Sequence, residues 1–182
     1  MRHLPNAITL LRLALVPVMA YYAAREEYAI ALPVFLVAAL SDFADGYLAR
    51  RFKLVSRLGA ALDPIADKLN MFVATVLLAS HGLLPLWLAA AIIGRDIVIV
   101  VGVLAYRLLR GPLEMKPTRL SKVNTFIEFG VLLLVMADAA RWIDTGAWMP
   151  VLFVIVFITV VASGVQYVWL GTRMATAERR TR

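Results

Sequence analysis

Six long apolar runs decide what this chain can fold into. They lie near Ala7–Ala24, Tyr28–Ala49, Leu58–Ser80, Leu84–Leu109, Leu120–Ala137 and Trp148–Leu170, and each is long enough to cross a bilayer as a helix. The connections between them are short, and Pro5, Gly82, Pro85, Gly111, Pro112, Pro117, Gly146 and Pro150 punctuate most of them. A soluble domain of 182 residues could not hide a composition that is 62% hydrophobic. The expected fold is an all-α polytopic membrane protein with six transmembrane helices, forming one domain over residues 1–182. No internal repeat or low-complexity tract interrupts it. The first run lacks the short apolar core of a cleavable signal and reads as a retained span.

Charge orients the bundle. One set of connections holds Arg2, then Arg50, Arg51, Lys53 and Arg57, then Arg107, Arg110, Lys116 and Arg119, then Arg173, Arg179, Arg180 and Arg182. The other set holds only Arg25 and Arg141. The positive-inside rule therefore places both termini on the cytoplasmic side. The net charge of +7 on so apolar a chain suits an anionic lipid surface, and no nucleic-acid partner is expected. With no cysteine, thiol chemistry and disulfides are excluded.

Against this background the stretch from Ser41 to Asn70 stands apart, because it carries Asp42, Asp45, Asp63 and Asp67 among apolar residues. An ionised carboxylate in hydrocarbon costs several kcal/mol, so four at helical spacing need a counter-charge. Asp42 and Asp45 are three residues apart and Asp63 and Asp67 four apart, so each pair projects from one helix face. Taken singly, each Asp could be a cap, each Gly a packing residue and Arg50 an interface anchor. A shared cation accounts for all four carboxylates together. Oxygen ligands without His or Cys point to two divalent ions, Mg²⁺ or Mn²⁺, as used in phosphoryl transfer. Gly46 and Gly59 leave room for a ligand or a second helix, and Arg50 offers a planar fork to phosphate oxygens.

The pattern Asp42-x2-Asp45-Gly46-x2-Ala49-Arg50-x8-Gly59-x3-Asp63-x3-Asp67 resembles, without a departure, the signature of the CDP-alcohol phosphotransferases, integral membrane enzymes of phospholipid synthesis. The resemblance implies a six-helix fold with a dinuclear metal site at the cytoplasmic end, in the setting of a bacterial inner (plasma) membrane. It implies CMP as leaving group, Asp42, Asp45, Asp63 and Asp67 as metal ligands, and Asp67 as the base. Gly46, Ala49, Arg50 and Gly59 would face the CDP moiety. Asn6, Thr9 and Arg12, in Pro5-Asn6-Ala7-Ile8-Thr9-Leu10-Leu11-Arg12, look like the family's amino-terminal nucleotide element; an N-cap at Asn6 and a snorkelling Arg12 would account for them otherwise.

The expected donor is CDP-diacylglycerol, and the expected acceptor is an anionic lipid or a glycerol phosphate. Arg95, inside the fourth run, is a buried cation suited to an acceptor phosphate, whereas Asp96 reads as a partner for a cation. Arg119 and Lys122 could join Arg95 around that anion or anchor at the interface. Gly94-Arg95-Asp96 and Ser121-Lys122-Val123-Asn124-Thr125 look like the CMP-forming cardiolipin synthase branch, which sets the preferred acceptor as phosphatidylglycerol. A phosphatidylglycerophosphate synthase, taking glycerol 3-phosphate, is the alternative. A cation-binding transporter is an alternative of another class, but transporters tend to have repeated halves and midplane carboxylates. Roles for Lys68, Asn124 and Glu128 are not assigned by the sequence, and a homodimer is left open.

Overall fold

The structure, a computed structural model, describes the backbone of residues 4–52, 57–110 and 118–177, with side chains described outside 4–10, 42–52, 57–67, 106–107, 109–110 and 174–177. Within it lie six α-helices: α1 (Leu4–Ala24), α2 (Tyr28–Phe52), α3 (Arg57–Ser80), α4 (Leu86–Arg110), α5 (Arg119–Ala139) and α6 (Trp148–Ala177). Their number and order follow the six apolar runs, and the all-α expectation holds. The ends differ: α1 starts at Leu4 rather than Ala7, α2 continues past Ala49 to Phe52, and α6 continues past Leu170 to Ala177. Apolarity stops at the first arginines, whereas helix hydrogen bonding continues through Ala, Arg and Met, which are good helix formers. Among the described residues, the segments Leu86–Ala105, Arg119–Ala139 and Trp148–Arg173 are long and apolar enough to cross a membrane. The protein is membrane-bound on this evidence.

The chain divides into two compact units. The first comprises Met1–Leu84 with Leu132–Thr145, and the second Pro85–Val131 with Gly146–Arg182. In the first unit, α1 packs on both α2 and α3. Its core is built from stripes at three- and four-residue spacing: Val16, Met19 and Ala23 on α1, Tyr28, Ala31, Leu32, Phe35 and Ala38 on α2, and Ala74 and Leu78 on α3, all buried.

Three helix ends in this unit close in the same way. After α1, Glu26 N–H donates to Ala23 O and Glu27 N–H to Tyr22 O; after α3, Gly82 and Leu83 do the same to Ala79 and Leu78; after α5, Arg141 and Trp142 do so to Asp138 and Ala137. This is the Schellman pattern, which satisfies the last carbonyls locally and requires a left-handed residue just beyond the helix. Gly82 takes that conformation freely (φ 72°), but Glu26 (φ 61°) and Arg141 (φ 60°) carry side chains into it.

In the second unit α4 packs against α6. Trp87 meets Phe157 edge-on at 5.3 Å, and further along both helices Arg95 meets Ser163, so the two helices run parallel. Leu88 and Ile92 on α4 and the stripe Phe153, Val156 and Val160 on α6 are buried. Ile97, Val100 and Val101 on α4 and Val154, Ile158 and Val165 on α6 stay exposed, an apolar outer surface suited to lipid.

Candidate active site

On four helices the buried apolar stripe leads to a polar residue. On α1 the series Met19, Val16 continues to Arg12, which is 1% exposed. On α3 Leu78 and Ala74 lead to Asn70, on α4 Leu88 and Ile92 lead to Arg95, and on α6 Val156 and Val160 lead to Ser163, all buried. On α5, Ser121, Asn124 and Glu128 form such a stretch by themselves. Groups this polar are kept in an interior only where partners or a ligand meet them.

In the first unit the acidic positions are placed by the hairpin of α2 and α3. The Tyr28 hydroxyl and His81 Nδ1 share a hydrogen bond of 2.6 Å, which sets the start of α2 beside the end of α3. With only residues 53–56 joining their other ends, the two helices are antiparallel. Asp42 stands fourteen residues after Tyr28 and Asp67 fourteen before His81, so at the α-helical rise both lie about 21 Å from that bond. Asp45 and Asp63, at seventeen and eighteen residues, lie one turn further on. The backbone thus brings the two acidic pairs to one end of the hairpin at matching heights. Asp63, Asp67, Asn70 and Ala74 follow one stripe of α3, and buried Asn70 Oδ1 has no hydrogen-bond partner among the described residues. What the side chains of Asp42, Asp45, Gly46, Ala49, Arg50, Gly59, Asp63 and Asp67 touch lies outside the described residues, as it does for Asn6 and Thr9. Arg12, the third member of the amino-terminal motif, is buried on α1, the helix that packs on both α2 and α3.

The second unit holds a fully drawn cluster around Arg95. Its Nε–H donates to Ser163 Oγ at 3.3 Å, and Nη2 donates to the same oxygen at 2.9 Å and to Ser121 Oγ. Nη1 donates to Asp96 Oδ1 at 2.7 Å, an ion pair in which the arginine side chain is 5% exposed and the aspartate 31%. Asp96 is therefore the cation's partner, as expected. Thr118 fixes the start of α5, accepting the Ser121 N–H at 3.1 Å in the manner of an N-cap, which holds Ser121 in register toward Arg95. On α6 Ser163 is followed by Gly164, whose missing Cβ would lie 3.7 Å from Arg95 Cγ, an ordinary contact. One turn along α5, Asn124 Nδ2 donates to Glu128 Oε2 at 3.3 Å, while Asn124 Oδ1 has no partner among the described residues.

Arg119 and Lys122 lie off this buried stripe, both exposed at the start of α5, and among the described residues no hydrogen bond or ion pair joins either to Arg95. Ser121 and Ser163 are the residues that sequence reasoning passed over. Their signal was the spacing: Ser163 occupies the next buried position after Val156 and Val160, and Ser121 stands three residues before the buried Asn124, where a hydroxyl is out of place unless it has a partner.

The profile of CDP-alcohol phosphatidyltransferases matches residues 2–166, and the chain belongs to that family. It is 34% identical over 189 residues to the human cardiolipin synthase (CMP-forming), an alignment covering 93% of this chain and 62% of the relative. It is 38% identical over 179 residues to a cardiolipin synthase (CMP-forming) / mitochondrial hydrolase fusion protein of Schizosaccharomyces pombe, covering 90% of this chain and 30% of the relative. To a CDP-diacylglycerol–glycerol-3-phosphate 3-phosphatidyltransferase of Pseudomonas fluorescens it is 49% identical over 104 residues, 53% of this chain and 52% of the relative. The chain therefore spans between about a third and two thirds of the length of these relatives.

Proposed function

We propose that the protein transfers the phosphatidyl group of CDP-diacylglycerol to phosphatidylglycerol, forming cardiolipin and releasing CMP. The observation that carries this reading is the reach of the similarity: the human cardiolipin synthase (CMP-forming) and the Schizosaccharomyces pombe fusion protein align over nine-tenths of the chain. The relative named for glycerol 3-phosphate is more identical but aligns over about half of it. Transfer to glycerol 3-phosphate is the second reading.

The donor set fits hard divalent cations, since the hairpin gathers four carboxylate-bearing positions at one end with no His or Cys among them. Asp42, Asp45, Asp63 and Asp67 would hold two Mg²⁺ or Mn²⁺ ions, which supply charge neutralisation at the donor pyrophosphate. Asn6, Thr9, Arg12, Gly46, Ala49, Arg50 and Gly59 are assigned to the CDP moiety, and Arg95, with Arg119 and Lys122 at the headgroup level, to the acceptor phosphate. Asp67 takes the proton of the acceptor's primary hydroxyl as its oxygen bonds to the phosphorus that carries the diacylglycerol. The bond from that phosphorus to the CMP oxygen breaks, and CMP leaves with the electron pair. All six helices cross the membrane with both termini and the acidic end cytoplasmic, following the arginine distribution of the connections.

One assay tests this. Purified protein with CDP-diacylglycerol and Mg²⁺ or Mn²⁺ is offered phosphatidylglycerol and glycerol 3-phosphate in parallel, with CMP and lipid products resolved. Cardiolipin is the expected product. Product from glycerol 3-phosphate alone would replace the acceptor and leave the transfer chemistry standing.

A further inference from the structure

The bonds of Arg95 can be counted. A guanidinium has five N–H groups in a fixed plane. Nε–H and one Nη2 N–H go to Ser163, the other Nη2 N–H to Ser121, and one Nη1 N–H to Asp96. Among the described residues the fifth, on Nη1, has no partner. The edge that engages phosphate in a bidentate way, the parallel N–H pair on Nε and Nη2, is already turned onto a serine.

The anchoring partners are of two kinds. Two are neutral hydroxyls, which fix the plane of the guanidinium without cancelling its charge. The third is a carboxylate, which offsets part of that charge at the same nitrogen that carries the remaining N–H. What is left is a weakly positive, rigid, single-donor contact. A phosphate monoester carries close to two negative charges at neutral pH, because its second pKa is about 6, and calls for several donors. A phosphodiester carries one charge and is met adequately by one donor backed by a partly neutralised cation.

We propose that Ser163 and Ser121 are positioning residues that limit how much of the Arg95 guanidinium an acceptor can engage, making the site selective for a singly charged phosphodiester over a phosphate monoester. This rests on the reading that Arg95 meets the acceptor phosphate. It differs from a purely structural rivet joining α4, α5 and α6 in one respect: a rivet sets stability, whereas a limiter sets the ratio between two acceptors.

The test measures CMP release by the full chain in mixed micelles, with CDP-diacylglycerol as donor and either phosphatidylglycerol or glycerol 3-phosphate as acceptor. The readout is the ratio of kcat/KM for the two. Ser163→Ala frees the Nε/Nη2 edge, and the ratio should fall about tenfold toward glycerol 3-phosphate. Ser121→Ala frees one N–H and should lower it about threefold. Ser163→Thr keeps the hydroxyl and should hold the wild-type ratio, which also covers the case in which Ser163→Ala does not fold. Wild-type transfer to phosphatidylglycerol with an unchanged ratio in Ser121→Ala and Ser163→Ala overturns the inference alone. Wild-type protein that uses only glycerol 3-phosphate, or neither acceptor, overturns the underlying acceptor reading and this inference with it.

Discussion

The two ends of the α2–α3 hairpin solve opposite problems. At the Tyr28–His81 end, the helix termini of α1 and α3 are closed by their own backbone through Schellman bonds, as is the end of α5, and a single hydrogen bond joins Tyr28 to His81. At the other end stand four carboxylate positions that no local backbone bond can neutralise. Helix ends closed by Schellman bonds are largely self-sufficient, because those bonds give terminal carbonyls a backbone partner within five residues. On the proposed reading, the acidic end would be completed by divalent ions. The comparison predicts that substitutions at the first end act on stability and those at the second on chemistry.

The largest effect separates the ends most sharply. Asp42→Asn, Asp45→Asn or Asp63→Asn keeps the side-chain shape and removes the charge that would hold an ion, so phosphatidyl transfer should fall by roughly a hundredfold or more. Asp67→Asn should lose turnover equally while CDP-lipid binding, measured by titration, is retained. Wild-type rates and wild-type dependence on divalent ions across the set would remove the distinction between the ends altogether.

A smaller effect sharpens it from the other side. Tyr28 is buried and its hydroxyl bonds to His81, so Tyr28→Phe removes one partner of a part-buried hydrogen bond. The expected loss is about 1 kcal/mol of stability, read as a lower unfolding temperature in detergent. Transfer activity should stay within about twofold of wild type. A tenfold loss of activity would mean that the hairpin transmits strain from one end to the other.

How far this architecture was legible beforehand follows from the same contrast. The helices were readable because apolar runs of bilayer length leave few alternatives, and their ends were misplaced by several residues because α2 and α6 continue through charged positions. The acidic pairs were readable because carboxylates are conspicuous against hydrocarbon-like sequence. Ser121 and Ser163 were not, since a serine on a membrane helix more often packs than binds, and only the position of Arg95 across the bundle gives each a partner. Gly82 announced its turn by residue type. Glu26 and Arg141 did not, because nothing in Arg25-Glu26-Glu27 or Ala140-Arg141-Trp142 marks a left-handed residue.

Those two turns carry the smallest prediction. A side chain in the left-handed region costs about 1–2 kcal/mol, of which glycine's greater freedom in the unfolded chain returns part, so Gly at either site should gain roughly 0.5–1 kcal/mol. Charge splits the pair. Glu26 sits just past the C-terminus of α1, where the helix dipole disfavours an anion, and Arg141 just past that of α5, where it favours a cation. Glu26→Gly therefore relieves both strain and repulsion, whereas Arg141→Gly relieves strain and gives up a favourable charge. The unfolding temperature in detergent should rise by about 2 °C in the first variant and by less in the second, with activity unchanged in both. The difference between them should shrink as salt is added, because the dipole contribution is screened and the backbone contribution is not. A larger gain from Arg141→Gly at low salt would show that Arg141 is not stabilised by the end of α5, and that its left-handed backbone carries the greater strain.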